Sequence, residues 1–69
     1  MENSVIDTYK NDANQIAVLC FDPSGHYCLE YYTSEGIQYH IEVFEGKSIH
    51  YVKDAAYNWS IGIKKDPSV

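Results

Sequence analysis

Basic residues are scarce in this sequence of 69 residues. Five lysine and arginine side chains stand against ten aspartates and glutamates, which gives a formal net charge of −5. A protein that binds the phosphate backbone of a nucleic acid needs a basic stripe, so we expect no nucleic-acid partner. The acidic residues form no run, which disfavours a protein that imitates the charge of DNA. An acidic decoy that uses Glu30 and Glu42 stays open as an alternative.

Cysteine and long apolar runs are also scarce. Cys20 and Cys28 form at most one bridge, and it would close a short loop that stabilises little. No apolar stretch approaches the length of a membrane span, and no basic and apolar leader opens the chain. We therefore expect a cytoplasmic protein with reduced thiols and no membrane association. A chain this short forms a single small α+β domain over residues 1–69.

Turn residues divide the chain most clearly. Residues 22–25 (Asp-Pro-Ser-Gly) and 34–36 (Ser-Glu-Gly) separate three runs rich in β-branched and aromatic residues, at 15–22, 26–33 and 37–44. Both turns fit a three-residue hairpin loop whose glycine takes a positive φ. They predict a three-stranded antiparallel meander. Residues 4–10 have the composition of a further strand, while Ser4 and Asp7 also fit a helix-capping pattern, so a helix there stays open.

Helical spacing replaces the strand pattern after residue 47. The apolar residues that recur every three or four positions are Ile49, Val52, Ala56, Trp59 and Ile63. Ser48 is placed to cap the N-terminus and Gly62 to end the helix, and Lys64 and Lys65 suit the negative end of its dipole. The expected fold class is therefore α+β, an antiparallel β-meander of three or four strands with one C-terminal helix packed on one face.

Loop length determines which strand residues share a face. The expected register sets Cys20 opposite Cys28 and Leu29 opposite Ile41. The face expected to pack against the helix then carries no charge and consists of Ala17, Leu19, Phe21, Tyr27, Leu29, Tyr31, Ile37, Tyr39, Ile41 and Val43. The other face is more apolar than an ordinary solvated face, so we expect it to bind protein. Its candidate binding residues are Ile16, Val18, Glu30, Tyr32, His40, Glu42 and Phe44.

Residue types that could carry chemistry lie on the same mixed face. Cysteine and histidine ligate zinc, so a metal- or thiol-dependent function that uses Cys20, His26, Cys28 and His40 stays open as an alternative. Their spacing matches no established zinc motif. No oxyanion-hole motif or base-orienting group accompanies a cysteine–histidine pair. We therefore expect no metal site, no cofactor and no catalytic residue, in a protein that is not an enzyme.

A distinctive spacing of residues covers positions 29–63. It comprises Glu30-Tyr31-Tyr32, Gly36, Phe44, Gly46-Lys47-Ser48, Tyr51, Asp54-Ala55-Ala56, Asn58-Trp59 and Gly62. This pattern resembles small proteins of unknown function encoded by tailed phages of marine cyanobacteria, and a weaker similarity is to antitoxins of the HicB kind. The phage resemblance implies a small protein made in an infected bacterium that acts by binding a host protein. The residues themselves predict a homodimeric protein-binding module or small regulator.

Overall fold

The computed structural model describes residues 4–63, which form four strands followed by one helix. The strands are β1 (Ser4–Lys10), β2 (Ile16–Phe21), β3 (Tyr27–Tyr32) and β4 (Gln38–Phe44), and the helix α1 is Ile49–Ser60. The strands pair antiparallel in chain order. This confirms the predicted α+β meander, and residues 4–10 form a strand rather than a helix. Lys64 and Lys65, predicted to suit the end of the helix dipole, lie outside the described residues.

Three hairpin loops share one design. In the loops at 23–25 and 34–36, as predicted, glycine is the last residue, with φ of 94° at Gly25 and 87° at Gly36. The loop at 12–14 places Asn14 in the same region, at φ 62°. Asparagine is one of the few residues besides glycine that adopt this conformation routinely. In each loop the amide of this residue donates to a carbonyl three positions earlier, at 3.0, 3.1 and 2.9 Å for residues 14, 25 and 36.

The predicted register is confirmed between β2 and β3 and is wrong between β3 and β4. Cys20 pairs with Cys28 and Leu19 with Leu29, as expected. In the second hairpin Tyr32 pairs with Gln38, but Tyr31 pairs with His40, so Tyr39 is an extra residue in β4. Such a β-bulge shifts all later pairs by one residue, and a shift of one residue moves every side chain to the opposite face.

The bulge changes the residues that pack under the helix. Phe44 lies in the core, only 8% exposed, while Ile41 and Val43 are displaced to the other face at 44% and 47% exposure. The core cluster consists of Ala17, Leu19, Leu29, Tyr31, Phe44, Val52, Ala56 and Trp59, with Tyr27 and Tyr39 packed against it. Phe21 and Ile37, also expected in the core, are exposed.

The helix α1 covers three of the four strands. It packs on β1, β2 and β3 through Val52, Ala56 and Trp59, and the Trp59 ring meets the Tyr31 ring edge-on at 5.3 Å between centroids. The predicted caps are confirmed. Ser48 Oγ accepts the amide of Tyr51 at 3.2 Å, and Gly62, at φ 84°, follows the end of the helix.

Bonds from the amides of Gly62 to the carbonyl of Trp59 and of Ile63 to that of Asn58 form a Schellman motif. Ile63, expected in the apolar stripe of the helix, is therefore beyond its end and is exposed. The apolar stripe is thus one residue shorter than the spacing predicts, because the left-handed glycine turns the chain away before a further helical turn forms.

Candidate functional site

The candidate site is the side of the sheet that faces away from α1, which we call the open face. Side chains alternate between the two sides of a strand, and the observed pairing therefore assigns each position. The open face consists of Val5, Thr8, Lys10, Ile16, Val18, Cys20, Cys28, Glu30, Tyr32, Gln38, Ile41 and Val43. No helix or strand within residues 4–63 covers it.

The open face is apolar at both edges and electrically balanced. Val5 on β1 is 67% exposed, and Ile41 and Val43 present about half of their surface on β4. Ile16 and Val18 on β2 are partly buried between them. Lys10 and Glu30 carry its charges, +1 and −1, which sum to zero. Because the whole chain carries −5, the excess negative charge lies elsewhere on the molecule.

The bulge divides the seven predicted binding residues between two surfaces. Ile16, Val18, Glu30 and Tyr32 lie on the open face, as expected. His40, Glu42 and Phe44 do not, because β4 is shifted by one residue beyond Tyr39. Phe44 enters the core. The face prediction is therefore correct for β2 and β3 and wrong for β4.

The sequence reasoning missed Ile41 and Val43 as members of the open face. The side chains of β4 alternate between two sets, and both sets contain apolar residues. The set without charge was therefore expected in the core. The true core set contains Glu42 and His40, which the fold tolerates because α1 packs on the first three strands and leaves the helix side of β4 less covered. There the Tyr31 hydroxyl donates to Glu42 Oε1 at 3.2 Å, and the His40 ring lies 5.8 Å from the Tyr31 ring. The sequence did offer one signal that β4 lies partly outside the core, since a single helix is too narrow to cover four strands.

Glu30 is held within the open face by its neighbour along β3. The Tyr32 hydroxyl donates a hydrogen bond of 2.8 Å to Glu30 Oε1, and this bond to the carboxylate raises the pKa of Tyr32 above its usual value. The two residues point to the same side because they are separated by one position on the strand. A carboxylate surrounded by apolar side chains is thereby given a donor, which lowers the cost of covering it.

Cys20 and Cys28 form the floor of the open face. Both are fully buried, and their sulfur atoms lie 2.8 Å apart without a covalent bond. Each thiol also reaches the carbonyl of the opposite cysteine, at 3.7 Å from Cys20 and 3.6 Å from Cys28. Burial raises the pKa of the Cys28 thiol. At neutral pH this thiol is therefore protonated and weakly nucleophilic.

The fold separates the residues proposed for metal binding. His40 is on the helix side of the sheet, whereas both cysteines are on the open face. His26 Nδ1 lies 3.1 Å from the hydroxyl of Ser24 in the adjoining loop. Within residues 4–63, no three cysteine, histidine or acidic side chains lie close enough together to hold a metal ion. A cysteine–histidine pair of Cys28 and His40 is likewise divided by the sheet.

A hollow of about 370 Å³ lies along α1 and is lined by Tyr51, Asp54, Ala55, Asn58 and Ile63. Two of its polar side chains contact each other, since Asn58 Nδ2 donates to Asp54 Oδ2 at 3.4 Å. Asp54 is the one carboxylate of this lining, and the bond occupies one of its oxygen atoms.

The chain matches no protein-family model, and it matches no curated protein and no solved structure. The resemblance to phage proteins therefore stays a prediction, as does the location in the cytoplasm. None of the helical structure within residues 4–63 is long and apolar enough to cross a lipid bilayer.

Proposed function

We propose that this chain is a non-enzymatic protein-binding module that forms a homodimer by packing the open faces of two copies against each other. The observation that carries the proposal is the exposed apolar surface of Ile41, Val43 and Val5 on a sheet face without a covering layer. Two sheets stack at about 10 Å with their apolar side chains interdigitated. A second copy supplies the same kind of surface, and a two-fold dimer needs one self-complementary patch.

Charge balance favours a second copy of this acidic chain on the open face. Two molecules of charge −5 repel each other, and the repulsion is smallest where the contacting surface carries no net charge. Lys10 and Glu30 cancel on the open face. In a face-to-face dimer each copy also offers one positive and one negative group to its partner.

The size of the open face limits the strength of the contact. With strands about 4.8 Å apart and about 3.3 Å per residue, four strands of this length present a face of about 20 Å by 20 Å, or roughly 400 Å². Two copies therefore cover about 800 Å² in projection, against about 1,600 Å² in a standard protein interface. We expect a weak dimer with a dissociation constant of about 1 μM or higher.

The bulge also weakens the alternative of an acidic decoy. That function needs Glu30 and Glu42 on one surface. They lie on opposite sides of the sheet, with Glu30 on the open face and Glu42 beside Tyr31. An array of negative charge that imitates a nucleic acid would have to be continuous.

The test compares the same substitution at Ile41 in β4 and at Ile37, the residue before β4. Ile41→Lys places a charge on the open face, opposite Glu30, where a cross-strand ion pair can support the isolated fold. Ile37→Lys makes the same change at a residue that is 64% exposed and lies outside the open face. We expect Ile41→Lys to raise the dissociation constant at least about 10-fold, since a charge must lose its water when the faces meet.

Sedimentation equilibrium from about 1 μM to about 500 μM measures the association, and circular dichroism checks that both variants fold. Ile37→Lys should associate like the unaltered chain. A chain that stays monomeric over this range, or equal association of the two variants, would contradict the proposal.

A further inference from the structure

The two thiols on the floor of the open face are placed for a reaction that the proposed dimer does not require. Cys20 and Cys28 are directly paired across the two central strands, with 2.8 Å between their sulfur atoms. This separation is shorter than a contact between two unbonded sulfur atoms in ordinary packing, and the side chains already point at each other. Forming a bond of about 2.05 Å requires a movement of less than about 1 Å.

The backbone also has the spacing that a disulfide needs. The amide of Asp22 donates to the carbonyl of His26 at 2.9 Å, so these residues form a hydrogen-bonded pair. Hydrogen-bonded and non-hydrogen-bonded pairs alternate along antiparallel strands, so Cys20 and Cys28, two positions further along, also form a hydrogen-bonded pair. Cα atoms at such positions are about 5.5 Å apart, within the range of about 4.4–6.8 Å that disulfides bridge. The bond therefore joins residues that are already paired and requires no change of register between β2 and β3.

We propose that Cys20 and Cys28 are a reversible dithiol–disulfide pair, oxidised by low-molecular-weight disulfides to a cross-strand bond that leaves the sheet intact. In the first step one cysteine thiolate attacks a sulfur of the small disulfide, whose S–S bond breaks and releases one small thiolate. In the second step the other cysteine attacks the cysteine sulfur of the mixed disulfide, and the second small thiolate leaves. The protein loses two electrons and two protons, and the small disulfide is reduced to two thiols.

Burial determines the rate of this exchange more than its end point. Both sulfur atoms are covered, and the pKa of Cys28 is raised by that burial, so the thiolate that attacks is rare at neutral pH. Access comes from the open face, over which only side chains lie in the described part of the chain. The pair should therefore react slowly and still prefer the intramolecular bond at equilibrium, because the two sulfurs already adjoin.

The experiment equilibrates the whole chain in buffers with increasing ratios of oxidised to reduced glutathione, stops exchange with acid and records the intact mass. We expect a species lighter by two hydrogen atoms to replace the reduced chain directly, with little of the species heavier by a glutathionyl group. The same chain in guanidinium chloride should need at least about 10-fold more oxidised glutathione for the same conversion, since the unfolded chain holds the thiols apart. Cys20→Ser and Cys28→Ser, which can form only the mixed disulfide, identify that species.

Two results overturn the proposal. One is a folded chain that stays reduced, or carries only glutathione, at a ratio that oxidises the unfolded chain. The other is an oxidised protein whose amide NMR spectrum loses its dispersion, which would show that the bond disrupts the sheet. The thiol pair is read from the intact mass at redox equilibrium, whereas the dimer is read from sedimentation of the reduced chain. Failure of the dimer and failure of the thiol pair are therefore distinguishable.

Discussion

Alanine substitutions at Phe44 and Val43 test the shifted register, on which the composition of the open face depends. Phe44 is 8% exposed and packs with the helix, its ring edge-on to Tyr51 at 6.1 Å between centroids. Replacing a buried phenylalanine by alanine costs about 3–5 kcal/mol, and we expect about 3 kcal/mol because Phe44 ends its strand. This equals a fall of about 12–24 °C in Tm for a chain of this size.

Val43 should behave differently although it is the adjacent residue. Alanine removes two methyl groups that are about half buried, since Val43 is 47% exposed. At about 0.8 kcal/mol per buried group, the loss is about 0.8 kcal/mol. The structure therefore predicts that Phe44→Ala costs at least about 2 kcal/mol more than Val43→Ala. The register expected from loop length alone predicts the reverse order, with Val43 under the helix and Phe44 on the open face.

Urea unfolding monitored by the fluorescence of Trp59, which is buried beside Tyr31, measures both losses. The protein is kept well below the dissociation constant measured by sedimentation, so that the proposed dimer is dissociated and does not add to the stability. The total stability of 69 residues is about 3–10 kcal/mol, so the loss at Phe44→Ala can unfold that variant completely. An unfolded Phe44→Ala beside a folded Val43→Ala also agrees with the prediction, because Phe44→Ala is then the more destabilised variant. Equal losses, or a larger loss for Val43→Ala, would refute the bulge at Tyr39.

Three further predictions concern the loops and the helix cap. Hydrogen bonds from the amide of His26 and the hydroxyl of Ser24 lower the pKa of Asp22 in the folded chain. The ionised Asp22 therefore stabilises the fold fully above the unfolded pKa of about 3.9. This stabilisation is lost as the pH falls through the folded pKa. Asp22→Asn keeps an acceptor and should flatten the acid limb of a plot of urea midpoint against pH; an unchanged limb contradicts this. In the same unfolding assay, Ser48→Ala should lower the free energy of unfolding by about 1 kcal/mol and Ser48→Asp by much less, because only aspartate keeps an oxygen that accepts the amide of Tyr51. Equal losses for the two variants would contradict a stabilising role of the cap. Gly36→Ala should lower the free energy of unfolding by about 1–2 kcal/mol, because alanine is strained at the φ of 87°. An added Cβ meets no atom within 4 Å, so no steric clash contributes. A loss near zero would contradict backbone strain as the cause.

The hairpin loops could be predicted because their cause is local. A type I turn followed by a left-handed residue needs glycine at its end, and Gly25 and Gly36 provide it where the strand runs stop. Ser48 and Gly62 mark the ends of α1 for equally local reasons, namely an oxygen for orphan amides and a residue without Cβ. The loop at 12–14 was harder to define, because asparagine replaces glycine there, and the first strand stayed open to a helical alternative.

The bulge could not be predicted from local pattern, because nothing in residues 38–44 requires an extra residue. Both alternating sets of β4 contain large apolar side chains, so either face could meet the helix. The choice is tertiary: Phe44 reaches the core near the start of α1, where Tyr51 packs against it, and His40 and Glu42 remain at a side that the helix covers little. The face of the candidate residues was therefore predicted correctly on β2 and β3 and wrongly on β4.

The two bulges bear directly on how a second copy could bind. An exposed edge strand pairs readily with another edge, and natural sheets prevent this with bulges that twist the strand. Here both edge strands carry one, with Ile6 as the extra residue in β1 and Tyr39 in β4. Edge-to-edge pairing is disfavoured at both ends of the sheet, whereas the bulge at Tyr39 places Ile41 and Val43 on the open face. The irregularity that protects one edge thus supplies the apolar surface of the face, and self-association should occur through the face rather than by extending the sheet.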